Sequence, residues 1–184
     1  TGAARGIGRA MVQQFAEAGA NVVAADRERA GLEATRELVG ASPIALVVAD
    51  VSSPEGAEQI VQTAVQHFGG IDFCVNNAAV APHAALLEER AEVWDQVFAV
   101  NCRGTFLMTQ AAGRAMIAAG RGGRIVNFSS GVSSKGSAGA AAYAASRAAT
   151  EAFSRVAAIE LAPYDILVNT ISPGLIDTQP KPLP

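Results

Sequence analysis

A chain of 184 residues, 50% hydrophobic and 17% charged, holds enough apolar material for one domain with a real core and too much for disorder. Its formal net charge of −3 gives no electrostatic reason to expect nucleic acid or an anionic membrane as partner. Cys74 and Cys102 sit in apolar runs without metal-ligand spacing, and no run has the length of a membrane span or reads as a signal peptide, so a soluble cytoplasmic protein with reduced, buried cysteines and no metal is expected.

The chain opens on Thr1-Gly2-Ala3-Ala4-Arg5-Gly6-Ile7-Gly8 and runs straight into an amphipathic helix ended by Gly19. Glycines at 2, 6 and 8 allow a tight turn and close backbone approach, and the helix start offers free N–H groups to a pyrophosphate. Next, Asn21 to Asp26 has the pattern of a short buried strand ending in a carboxylate. Asp26 lies eighteen residues beyond Gly8, near the spacing at which an acid accepts hydrogen bonds from an adenosine ribose; taken alone, it reads equally well as a cap on the following helix. A carboxylate there repels a 2′-phosphate and favours NAD over NADP, whereas Arg5 and Arg27 pull the other way.

Glu28 to Val39 reads as a helix stopped by Gly40, and Ile44 to Ala49 as a buried strand leading to Asp50-Val51. Ser53-Pro54 starts a helix whose stripe of Ala57, Ile60, Val61, Ala64, Val65 and Phe68 is core, ended by Gly69-Gly70. Ile71 to Val75 is a strand that delivers Asn76-Asn77-Ala78-Ala79; Ala81-Pro82-His83 is loop, with His83 expected in solvent. From Arg90 to Ala119 there is room for one long helix, interrupted near Asn101-Cys102-Arg103-Gly104, where Asn101 can bond backbone at a kink. A strand-like run from Arg124 closes on Ser129-Ser130, and a small-residue loop follows as far as Tyr143.

Tyr143-Ala144-Ala145-Ser146-Arg147 then heads an Ala-rich helix running through Ala148, Ala152, Phe153, Val156 and Ile159 to about Ala162. A tyrosine and a cation four residues apart share one helix face, and a fixed positive charge beside a phenol favours the phenolate. Ile166 to Ile171 is the last strand, followed by Ser172-Pro173-Gly174-Leu175-Ile176-Asp177-Thr178 and a proline-rich end without predicted order. Strands alternating with helices at this rhythm argue right-handed crossovers and a parallel, doubly wound, Rossmann-like sheet in three α/β/α layers, as one domain over 1–184.

Ser130 followed thirteen residues later by Tyr143 and then a cation, behind a Thr-Gly-x-x-x-Gly-x-Gly turn and Asn76-Asn77-Ala78, resembles the short-chain dehydrogenase/reductase family. That family reads Tyr-x-x-x-Lys and Asn-Asn-Ala-Gly, so Arg147 and Ala79 are departures. The resemblance implies an oxidoreductase moving hydride between NAD(H) and a small alcohol or carbonyl compound. It implies that Gly2, Gly6, Ile7 and Gly8 hold the pyrophosphate and Asp26 the ribose, with Arg5 or Arg27 serving NADP preference. Asp50 and Val51 would contact adenine, with Asn77 and Ala78 beside the cofactor ribose. Pro173 and Gly174 would lie against the nicotinamide, and Ile176 and Thr178 bind its carboxamide. Tyr143 would be the general acid/base, Ser130 would hold the substrate oxygen, Asn101 a water in the proton path, and Arg147 the nicotinamide ribose.

The resemblance also implies a homodimer or homotetramer when full length, built through the long Asn101 helix and the Tyr143 helix. It further calls for a strand ahead of the glycine turn, central to the sheet between those ending at Asp26 and Asn76, and for a substrate-covering segment after Thr178. Without the first, two hydrophobic strand edges stay unpaired, and the chain is expected to be poorly stable alone. Two rivals remain. Halohydrin dehalogenases use a Ser-Tyr-Arg trio on this fold without nicotinamide, but an aromatic residue spoils their glycine turn where Gly6 stands here. A nucleotide-binding relative that has lost catalysis would keep the same turn.

Overall fold

The computed structural model describes residues 1–178, and the proline-rich end from Gln179 to Pro184 lies outside the described residues. In chain order the elements are α1 (Gly6–Glu17), β1 (Val22–Asp26), α2 (Arg29–Val39), β2 (Ile44–Val48), α3 (Pro54–Phe68) and β3 (Phe73–Asn76). They continue with α4 (Ala91–Phe98), a π-helical turn (Ala99–Arg103), α5 (Gly104–Ala119), β4 (Gly123–Phe128), α6 (Val132–Lys135), α7 (Ala141–Leu161), a 3-10 turn (Ala162–Tyr164) and β5 (Ile166–Ile171). The local chemistry accounts for most boundaries. Ser53 caps α3 by accepting the Gly56 N–H at 3.0 Å, Pro54 takes the first helical position, and Gly69 ends the helix at φ +77°. The expected interruption of the long helix is a π-helical turn, which inserts extra backbone without breaking the rod. The stretch between Ser130 and Tyr143, read as loop, contains the short helix α6.

Every strand pairing is parallel, in two groups: β1 with β2 from Val22↔Ile44 to Asp26↔Val48, and β3-β4-β5 with Phe73↔Arg124 and Gly123↔Ile166 in register. The sheet is α/β as expected and is split where the central strand was expected. Val22 and Val23 of β1, with Phe73, Cys74 and Val75 of β3, line a cavity of about 380 Å³, floored by Met11 and Val12 of α1, Ile60 and Ala64 of α3 and Met108 of α5. Two bonds cross the gap at its carboxyl end. The Thr1 nitrogen donates to the Val75 carbonyl at 2.9 Å, and the Ala3 N–H to the Ala25 carbonyl at 3.1 Å.

The main core lies where α3, α5 and α7 pack on the sheet, around Val47, Ile60, Met108, Met116, Ile125, Ile166 and Val168. On the other face α1 and α2 cover β1 and β2 around Ala3, Val12, Ala24 and Leu32, while Phe73, Leu167 and Ile171 of the three-stranded sheet stay exposed. Among the described residues, nothing covers that part of the sheet as α1 and α2 cover β1 and β2. Cys74 is buried, which pushes its thiol up to about 11; Cys102 is only half-buried. Among the described residues no helix is long and apolar enough to cross a membrane.

Candidate active site

The glycine turn is shaped so that side chains are excluded from it. Gly2 and Gly6 hold φ of +68° and +56°, and a Cβ on Gly8 would lie 2.0 Å from the Gly2 carbonyl oxygen. Arg5 enters α1 extended and gives it no side-chain cap, so the first-turn N–H groups are open to an anion. Asn77 fixes the turn from β3: its Nδ2 donates to the Thr1 carbonyl at 3.0 Å, while the Thr1 hydroxyl accepts the N–H groups of Asn77 and Ala78, each at 3.2 Å. Asp26 fixes it from β1, accepting the N–H of Ala4 on one oxygen and of Glu28 on the other, both at 3.1 Å. Sequence reasoning did not single out Thr1, though it stands first in the turn motif.

Beyond the carboxyl ends of β1, β2 and β3 opens a cleft of about 860 Å³. Gly2, Arg5, Ile7, Asp26, Arg27, Asp50, Val51, Asn77, Ala78, Tyr143, Gly174, Ile176 and Thr178, all singled out from the sequence, line it together. Arg27 is not a free cation in this cleft, since its Nη1 pairs with the Asp50 carboxylate at 3.3 Å. Partial burial pushes the Asp50 carboxyl up, but the Ser52 hydroxyl and N–H at 2.7 and 2.9 Å, with Arg27, outweigh it and hold the group below the usual range. Arg5 is exposed and makes no ion pair among the described residues. The Thr178 side chain comes down over Gly6, 3.7 Å from where a Cβ would stand there. Gly6, Gly8 and Pro173 are absent from the lining; the Pro173 carbonyl accepts the Gly131 N–H at 3.3 Å instead.

Tyr143 stands in the first turn of α7, half-buried, and its phenol has no hydrogen-bond partner among the described residues. One turn on, Arg147 is only 3% exposed. Its guanidinium carbon lies 5.1 Å from the Tyr143 ring centroid, Nη1 donates to the Phe128 carbonyl at 2.7 Å, and Nε is buried without a partner. The structure therefore stacks Arg147 on the ring of Tyr143 and leaves it off the cleft wall. Asn101, fully buried, uses its side chain as a clamp: Oδ1 accepts the Val80 N–H and Nδ2 donates to the Val80 carbonyl, both at 2.9 Å. Nδ2 also reaches Ser146 at 3.1 Å, whose hydroxyl donates to the Tyr143 carbonyl at 2.8 Å. The loop after β3 and the tyrosine helix are thus tied through one amide.

Ser130 lies two residues past β4 and lines a different cavity, of about 500 Å³, with Ser133, Ser134, Glu151 and Ser172. Glu151 was missed from the sequence. Its signal was spacing: eight residues after Tyr143 and four after Arg147, it continues the same helix face.

Comparison with known proteins identifies the family of the chain. The short chain dehydrogenase family model matches residues 1–182. Sorbitol dehydrogenase from Cereibacter sphaeroides is 38% identical over 96% of this chain and 69% of its own length. NAD-dependent glycerol dehydrogenase from Listeria innocua is 40% identical over 97% of this chain and 70% of its own. The crystal structure of an NAD+-bound xylitol dehydrogenase superposes with a TM-score of 0.90 at 36% identity, covering 94% of this chain and 67% of that one. The chain spans 65% of one solved short chain dehydrogenase, from Mycobacterium avium. A family match over nearly every residue, joined to relatives close to 40% identical, places this chain in the short chain dehydrogenase family.

Proposed function

We propose that the protein is an NAD-dependent oxidoreductase acting between an alcohol and the corresponding carbonyl compound, with Tyr143 as general acid/base. The observation that carries this reading is the single cleft that gathers Gly2, Arg5 and Ile7 of the glycine turn with Asp26, Asp50, Asn77 and Tyr143. The residues fit a dinucleotide: an uncapped helix start for the pyrophosphate, a turn in which a Cβ at Gly2 or Gly8 would clash, and a carboxylate at the end of β1. NAD held there would supply the hydride acceptor. The chain's own part is acid–base and positional. Tyr143, with the Arg147 guanidinium set against its ring, takes the proton of the substrate hydroxyl, while Ser130 lines the neighbouring cavity and holds the substrate oxygen only if its side chain turns toward the cleft. Asn101 keeps the loop at Val80 and the Tyr143 helix in fixed relation.

The preference for NAD over NADP rests on Asp26 at the end of β1 and on Arg27 being matched by Asp50. The sorbitol and glycerol relatives make polyols the first substrates to try. Titrating the full-length protein with NAD and NADP tests the cofactor choice. Tighter binding of NAD, with a gap that narrows in Asp26→Ala, is expected; tighter binding of NADP would mean that Arg5 and Arg27 outweigh the carboxylate. Halohydrin consumption without any dinucleotide binding would contradict the reading altogether.

A further inference from the structure

Three hydroxyls converge on one oxygen outside the cleft. Glu151 Oε1 accepts from Ser129 Oγ at 2.5 Å, from Ser133 Oγ at 2.6 Å and from Ser172 Oγ at 3.5 Å. The three donors come from different places: Ser129 just after β4, Ser133 in α6, and Ser172 just after β5. The first two distances are those of charge-assisted O–H···O⁻ bonds, which are about twice as strong as neutral ones. They hold the Glu151 carboxyl below its usual range. Backbone bonds join the same segments, from the Ser129 N–H to the Ile171 carbonyl at 2.7 Å and from the Gly131 N–H to the Pro173 carbonyl at 3.3 Å.

The segments so fastened are those that carry Ser130 and the Pro173-Gly174 turn. Ser130 sits between the Ser129 anchor and the Ser133 anchor, and its own hydroxyl has no partner among the described residues. Glu151 itself stands on α7, whose first turn holds Tyr143. One side chain therefore fixes the distance between the element bearing the phenol and the loop bearing the serine. An ordinary surface glutamate offers its oxygens to water; this one is taken up by hydroxyls from two loops, with Arg155 one turn further along as the nearby cation.

We propose that Glu151 is a positioning residue for catalysis, clamping Ser130 and the Pro173-Gly174 turn to the tyrosine helix through Ser129, Ser133 and Ser172. The proposal rests on the oxidoreductase reading for its kinetic consequence, but the clamp itself can be measured without turnover. A carboxylate suits the site because its two short bonds are charge-assisted, which a neutral amide oxygen does not provide.

The test compares Glu151→Gln, which keeps size and one acceptor, with Glu151→Ala, in the full-length protein. Backbone hydrogen exchange is expected to quicken in segments 129–134 and 172–174 while the glycine turn keeps its protection. With a polyol as substrate, kcat is expected to fall roughly 100-fold in the alanine variant, the scale of an angstrom-sized misplacement. It should fall less in the glutamine variant, with the NAD dissociation constant within about threefold of the parent. Unchanged exchange in both variants would overturn the clamp. Quickened exchange with unchanged kcat would overturn the catalytic positioning and leave Glu151 structural. A parent that binds NAD but oxidises no alcohol would contradict the functional reading, and exchange would then still decide whether Glu151 holds the Ser130 loop.

Discussion

Arg147 keeps the charge that a lysine would bring to this turn of α7, but spreads it over a planar fork that never releases a proton near neutral pH. One arm of the fork holds the Phe128 carbonyl, the plane lies near the Tyr143 ring, and Nε is buried without a partner. A buried donor left unsatisfied costs about 1–3 kcal/mol. A lysine here would remove that donor and present a compact ammonium with three rotatable N–H groups. Arg147→Lys is therefore expected to raise kcat by about tenfold, equivalent to 1.36 kcal/mol of barrier, with NAD affinity nearly unchanged. Steady-state kinetics on both forms checks this; a slower lysine variant would make the arginine a fitted catalytic residue. The charge at position 147 was legible in the sequence because a tyrosine and a cation at helical spacing must share a face. Its direction was not, since that depends on where the Phe128 carbonyl comes to rest. The same limit hid the role of Glu151, whose three donors meet only once β4 and β5 lie side by side.

Helix α7 has two working faces. The buried one carries Ala142, Ser146, Arg147, Thr150, Ser154 and Ala157, small or hydroxyl-bearing for the most part, which lets it sit close on β4 and the π-helical turn. Thr150 and Ser154 return their hydroxyls to carbonyls one turn back, at 3.0 and 2.7 Å, so the polar groups cost little there. The opposite face leaves Val156 53% and Ile159 75% exposed, and Phe153 of the same helix meets the ring of Phe106 of α5 edge-on at 5.9 Å. An apolar face of this kind across two neighbouring helices that both connect parallel strands suits a twofold mate. The full-length protein is expected to sediment as a dimer or larger at micromolar concentration, and Val156→Glu with Ile159→Glu to weaken that association at least tenfold. A monomeric parent would contradict it. The helices themselves were legible from apolar spacing, caps and stops; the π-helical turn was legible only as an interruption at Asn101. Helix α6 was missed because Val132 to Lys135 carries too few apolar residues to set a period.

At the scale of the whole molecule, the parallel order and the placing of the cleft followed from motifs at strand ends, because each βα unit delivers its loop to the same edge of the sheet. The cleft gathers residues as far apart in sequence as Gly2, Asp50, Asn77, Tyr143 and Ile176. The split between β1 and β3 was legible too, since a glycine turn of this kind follows a strand; the edges it leaves face an apolar cavity of about 380 Å³. What the sequence did not convey is that Ser130 and Tyr143 line different cavities, a matter of how the loop after β4 folds against α7. In the proposed function, one cleft joins dinucleotide binding to a proton-exchanging tyrosine. The most direct measurement is NAD reduction with a polyol by the full-length protein and its Tyr143→Phe variant, alongside the NAD dissociation constant of each. Turnover of the variant is expected to fall roughly 10²–10⁴-fold, the contribution of a positioned acid/base, with NAD binding kept. Turnover in Tyr143→Phe within a few fold of the parent would contradict it.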